Sequence, residues 1–103
     1  MPAYWLARAH IDDPAEYAKY AEQLPALFEK YNARILVRGG DYKILEGDAP
    51  PFERFVVIEF QSMADGEAFF HSDDYRNAAA FRRAPGVAQN EVILVDGGDA
   101  GVR

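Results

Sequence analysis

The chain has 103 residues, a formal net charge of -6 and no cysteine, and half of its residues are apolar. That is enough for one domain with one core and too little for two, and the composition is that of a folded chain. The acidic balance disfavours a phosphate backbone as partner, no apolar run approaches the roughly 18 residues of a bilayer span, and disulfides, thiolate metal sites and cysteine nucleophiles are excluded. With no basic start or apolar block of a signal peptide, a cytoplasmic protein is expected, with no nucleic-acid or membrane partner.

Ala3 to Ile11 alternates Trp5, Ala7, Ala9 and Ile11 with Tyr4, Leu6, Arg8 and His10, which at period two predicts a strand with one smooth apolar face. Asp13-Pro14-Ala15-Glu16 then signals a helix: Asp13 as N-cap, Pro14 at the first helical position, and Glu16 placed to complete a capping box. Tyr17, Tyr20, Ala21, Leu24, Leu27, Phe28 and Tyr31 follow at helical spacing as one buried stripe. Pro25 lies within it, removes a backbone hydrogen bond and crowds the Ala21 carbonyl, so a kink or break is expected there. Asn32 is suited to the left-handed turn that ends the helix.

Arg34 to Arg38 reads as a second strand, Gly39-Gly40-Asp41 as a turn, and Tyr42 to Glu46 as a short continuation. Gly47 to Glu53, with Pro50-Pro51, reads as a surface loop, either a plain connection or a pocket rim. The run Arg54-Phe55-Val56-Val57-Ile58-Glu59-Phe60 is apolar enough to be a strand covered on both faces. Ser62 caps a helix holding Met63, Phe69 and Phe70, and Ser72 or Asp73 starts another with Tyr75, Ala78, Ala79 and Arg82 on one side. Pro85-Gly86 ends it. Glu91 to Asp96 is the last strand, and residues 97–103 are expected to be a flexible tail after a domain of residues 1–96. The order predicts an α+β fold: a ferredoxin-like βαββαβ unit with a four-stranded antiparallel sheet and its helices on one face.

Tyr4-Trp5-Leu6-Ala7-Arg8, Asp13-Pro14 with Tyr17 and Tyr20, Leu36-Val37-Arg38-Gly39-Gly40, Leu45-Glu46-Gly47, Arg54 with Val56-Val57-Ile58-Glu59-Phe60, and Ser72 with Tyr75 resemble the bacterial family called domain of unknown function 1330. The resemblance runs from about Ala3 to Asp96. It implies a dimeric α+β barrel, in which two sheets face each other across a homodimer interface, and it carries over no reaction or catalytic residue. The wider superfamily includes cofactor-free monooxygenases of polyketide quinones, muconolactone isomerases and haem-degrading enzymes. Tyr31-Asn32-Ala33 departs from the family's Tyr-Gly-Gly, which bears on a turn.

Arg8, His10, Arg38 and Glu59 are the candidate catalytic residues. They are expected on the sheet face away from the helices, with Arg8 or His10 close to Glu59 if the first and third strands are central neighbours. Charges on a covered face must be paired or wet. Arg8, Arg38 and Glu59, with Tyr75 as core or pocket wall, are thus either contacts for a small anionic or aromatic ligand or an ion-pair network at a dimer interface. His10 could serve as a general base or stand in solvent. His71, Asp73 and Asp74 are adjacent at a helix start and do not converge as metal ligands would, so no metal or other cofactor is expected. Pro2, as a freed N-terminal amine, offers a tautomerase reading. There is no phosphate loop and no serine nucleophile motif. Three readings remain: a homodimeric metabolite-binding domain, a cofactor-independent monooxygenase or isomerase acting on an enolisable or quinol-type molecule, and a purely structural dimer.

Overall fold

A computed structural model describes residues 1–48 and 51–99. In chain order the elements are β1 (Ala3–Ile11), α1 (Pro14–Ala21), α2 (Leu24–Lys30), β2 (Arg34–Arg38), β3 (Arg54–Phe60), α3 (Met63–Phe70), α4 (Asp73–Arg83) and β4 (Ala88–Asp96). The strands form one antiparallel sheet in the order β2-β3-β1-β4, so β1 and β3 are central neighbours. This is the ferredoxin-like α+β arrangement that the element order predicts.

The caps form where short polar side chains precede apolar periodicity. The Asp13 carboxylate accepts from Glu16 N-H, Ser62 Oγ from Asp65 N-H and Ser72 Oγ from Tyr75 N-H. The capping box at Asp13 is only half made, because Glu16 turns its carboxylate to Lys19 at 2.8 Å. Pro25 breaks the predicted helix into α1 and α2: it has no N-H for the Ala21 carbonyl, and Arg38 Nη2 takes that carbonyl instead at 3.1 Å. Asn32 adopts the left-handed conformation at φ 57°.

Two element expectations are corrected. Tyr42 to Glu46 is not a strand: it has no ladder partner beyond β2, and Tyr42 stacks on Phe55 with ring centroids 4.9 Å apart. The last strand begins at Ala88 and not at Glu91, because β4 pairs with β1 over its full length, Ile11 opposite Ala88. Tertiary pairing outweighs the polar Gln89-Asn90 start. The loop reading of 47–53 falls partly on residues 49 and 50, and the tail reading partly on 100–103, both outside the described residues. Gly97, which opens that tail, donates its N-H to the Pro2 carbonyl at 2.9 Å.

All four helices lie on the face carrying Trp5, Ala7 and Ala9. The core there is aromatic: Trp5 meets Phe69 and Tyr75 edge to face at centroid distances of 5.5 and 5.2 Å, and Phe60 and Phe28 close it. Opposite, one row across the sheet, Ile93-Leu6-Val57-Val37, exposes apolar side chains. Leu6, Val37, Ile93 and Val95 are 41–50% exposed on this face, a continuous apolar band. No described helix is long and apolar enough to cross a membrane.

Candidate functional site

A β-bulge decides which arginine faces the helices. The pairing of β2 with β3 runs Arg34 to Glu59 and Ile35 to Ile58, then slips so that Val37 meets Val57 and Arg38 meets Val56. The extra residue, Leu36, reverses the parity of everything after it. Ile35 and Arg38 therefore share the helix-covered face, while Arg34 and Val37 share the open one. Arg38 then sits at the rim of a cleft between the sheet and α1, α2 and α4, tied to the end of α1 through the carbonyl that Pro25 left unpaired.

The cleft encloses about 20 Å³ of water-sized space, and about 530 Å³ of unfilled volume when its solvent-open part is included. Its floor thus has room for about one water or a small polar group, and a larger body must extend toward the mouth. Ala7, Val56, Leu24 and Phe28 are among its apolar walls, and Tyr17, Tyr20, Arg38, Arg54, Arg82 and Asn90 are among its polar lining residues, as is Arg8. Among the described residues, no aspartate or glutamate lines it.

Arg54 enters from β3 on the parity of Val56 and Ile58, and its guanidinium lies 6.0 Å from the Tyr17 ring centroid. The turn above it needs Gly39, at φ 71°, where an added Cβ would come 3.0 Å from Arg54 Nη1. Arg82 enters from α4, 7% exposed, with its guanidinium over the rings of Tyr20 and Tyr75 at 5.3 and 5.8 Å and Nη2 donating to Tyr75 Oη at 2.9 Å. Tyr75 Oη is also 3.0 Å from Tyr20 Oη. Among the described residues, neither Arg54 nor Arg82 pairs with a carboxylate, and the Nε of each is buried without a hydrogen-bond partner. Burial pushes the Tyr20 phenol well above its ordinary pKa, reinforced by Tyr75, and burial raises Tyr17 against the opposing pull of Arg54 and Arg82.

The residues singled out from the sequence do not converge. Arg38 and Arg8 both line the cleft, but the Arg8 side chain pairs with Glu91 on the open face, where His10 and Glu59 also stand. The expected approach of Arg8 or His10 to Glu59 is corrected by the register: Tyr4 is opposite Glu59, and Arg8 is opposite Phe55. Glu59 accepts from Tyr4 Oη at 3.1 Å and pairs with Arg34 at 2.9 Å. Arg8 pairs with Glu91 at 2.8 Å and lies over the Phe52 ring. His10 is held between Glu53 at 2.9 Å and Asp12 at 3.1 Å, and the hydrogen bond to Glu53 raises its pKa. Tyr75 is fully buried behind Tyr20. Asp74 pairs with Lys30 and Asp73 with Arg76, while His71 ends α3.

Tyr17, Tyr20, Arg54, Arg82 and Asn90 are the cleft residues that sequence reasoning did not select. One signal was present: Arg82 lies on the buried stripe of its helix, with Ala78 and Gly86 where an i±4 carboxylate could have paired it.

The chain belongs to the family described as domain of unknown function (DUF1330), which matches residues 2–98. Among solved structures it is similar to RPA0582, a protein of unknown function from Rhodopseudomonas palustris, at 20% identity and a TM-score of 0.73, covering 91% of this chain and 80% of that one. SnoaB, a cofactor-independent oxygenase from Streptomyces nogalater, is similar at 14% identity and a TM-score of 0.61, covering 92% and 91%. A conserved protein from Methanosarcina mazei Go1 is similar at 15% identity and a TM-score of 0.52, covering 91% of each. These likenesses concern the fold. No curated protein matches the chain.

Proposed function

We propose that this protein is a cytoplasmic homodimeric domain that binds a small anionic or aromatic metabolite in the cleft between sheet and helices. The observation that carries this reading is the pair of buried arginine Nε groups, on Arg54 and Arg82, which among the described residues have no partner and share a cleft lined by no carboxylate. An uncompensated buried charge is costly to a fold, and an anion inserted between these side chains supplies the missing acceptor. The apolar walls and the Tyr17 and Tyr20 rings suit a planar body behind it. Isothermal titration with benzoate tests the reading: binding is expected, weakened at least about tenfold by Arg54→Gln or Arg82→Met, the loss of one charge-assisted hydrogen bond. Binding that both substitutions leave untouched sinks it.

The apolar band on the open face supports the dimer. A second copy packed there covers the row Ile93-Leu6-Val57-Val37, and the ion pairs of Arg8, Arg34 and His10 rim the contact. Leu6→Asp is expected to give monomers in sedimentation, whereas a wild type that is already monomeric at micromolar concentration removes the dimer. The same donor-lined cleft also favours a second reading, a cofactor-independent monooxygenase or isomerase that holds an enolisable or quinol-type molecule as its enolate. The binding reading stands ahead of it, because no histidine or carboxylate lines the cleft to take a proton. Oxygen uptake or isomerisation with a quinol panel would reverse that order, and a dimer with no small-molecule affinity would leave the structural reading.

A further inference from the structure

We infer that Tyr20 is the hydrogen-bond donor at the floor of the cleft, its proton turned toward the ligand by Tyr75 and Arg82, and that the ligand meets it with an unprotonated oxygen, as a phenolate, enolate or carboxylate. This rests on the cleft being the ligand site.

Tyr75 Oη is sealed from solvent and has two polar neighbours, Arg82 Nη2 at 2.9 Å and Tyr20 Oη at 3.0 Å. A guanidinium has donors only, so the Tyr75 oxygen accepts from Arg82. The Tyr75 proton then has one acceptor in reach among the described residues, the Tyr20 oxygen. The opposite order would leave a buried O-H with nothing to bond, which native interiors avoid. Tyr20 therefore accepts from Tyr75, and its own proton is free. Tyr20 lines the cleft, and the other group that reaches its hydroxyl, the Arg82 guanidinium, can only donate, so that proton is available to a ligand oxygen. Successive donation from a cation through two hydroxyls polarises the chain toward its open end.

The other polar groups that line the cleft are Arg54 on β3, Arg38 on β2, Arg82 on α4, Tyr17 on α1 and Asn90 on β4, beside Arg8, whose side chain pairs with Glu91. The three arginines can only donate. A ligand oxygen that keeps its proton faces donors on several sides, while one that has lost it satisfies them. The cleft thereby separates phenolate from phenol and carboxylate from carboxamide. Tyr20 touches the ligand, and Tyr75 and Arg82 act on it as positioning residues.

The test is a spectrophotometric titration of 4-nitrophenol, whose phenol and phenolate forms absorb at different wavelengths, with the wild type and with Tyr20→Phe and Tyr75→Phe. Both substitutions keep the ring and its volume, and thermal melts confirm folding. The bound probe is expected to ionise about one pH unit below the free one, a tenfold preference for phenolate. Tyr20→Phe should remove most of that preference. Tyr75→Phe, which leaves the Tyr20 hydroxyl in place but unties it, should weaken it severalfold while the probe still binds. A bound probe whose ionisation is the same in all three proteins overturns the inference and leaves the cleft reading standing. A wild type that takes up neither 4-nitrophenol nor benzoate at millimolar concentration overturns the cleft reading, and this inference with it.

Discussion

On the open face of the sheet the charged side chains stand beside opposite charges: Arg8 with Glu91, Arg34 with Glu59, and His10 between Glu53 and Asp12. On the helix-covered face Arg54 and Arg82 have aromatic rings and a hydroxyl for company, and each leaves a buried Nε unpaired. Pairing is complete where water already screens charge and incomplete where screening is poorest. A fold selected for stability alone would do the reverse. On the proposed reading, the helix-covered face is where stability is given up for recognition, and the open face is a surface organised for contact.

The sharpest way to break that comparison is to cut the same kind of side chain from each face. Trp5→Ala, at 2% exposure in the aromatic core, is expected to cost about 3–5 kcal/mol in denaturant unfolding, against about 1 kcal/mol for Leu6→Ala on the open face of a monomer. If the second value grows and depends on protein concentration, the open face is buried in a dimer. Next comes Arg82→Met. Replacing an uncompensated buried charge with an apolar side chain of similar length is expected to leave stability unchanged or raise it by about 1–4 kcal/mol while anion affinity falls. A large loss of stability would mean that Arg82 holds the core together and has no other role. Arg8→Met, which removes a half-exposed ion pair on the other face, should change stability by less than about 1 kcal/mol and lower ligand affinity less than Arg82→Met does.

The smallest effect is a pH dependence at the edge of the open face. The hydrogen bond to Glu53 raises the pKa of His10, and backbone N-H donation from Ile11, followed by His10, lowers that of Glu53. The His10 contribution is complete below its unfolded value and fades as pH rises through its raised folded value. The Glu53 contribution is present above its unfolded value and fades as pH falls through its lowered folded value. Their joint stabilisation is therefore complete between the two unfolded values, above that of Glu53 and below that of His10, and fades outside that window toward the folded values. His10→Gln should flatten the alkaline side of that profile, and an NMR titration that finds His10 at its ordinary pKa would contradict it.

Much of the architecture was legible because it rests on short-range rules. Asp13-Pro14, Ser62 and Ser72 announce helix starts through hydrogen bonds spanning three residues, and Pro25 announces a break through its own missing N-H. Tyr42 to Glu46 and the start of β4 were misread because the local pattern does not say whether a partner strand is there to pair with. The expected meeting of Arg8 or His10 with Glu59 fails for a related reason. Arg8, His10 and Glu59 do share the open face, as their parity implies, but the register sets Glu59 four residues away from Arg8 along β1. Arg38 would have joined them without the bulge at Leu36.

By itself the sequence determined the order of the elements, their caps, the break at Pro25, and which parity of β1 meets the helices, since each follows from backbone sterics and periodicity within a few residues. Only the tertiary structure decided that Tyr17, Tyr20, Arg54 and Arg82, drawn from α1, β3 and α4, line one cleft with no acid among them. Strand register, a one-residue bulge and the packing of distant helices set that meeting, and those are properties of the whole sheet and its cover that no local pattern encodes.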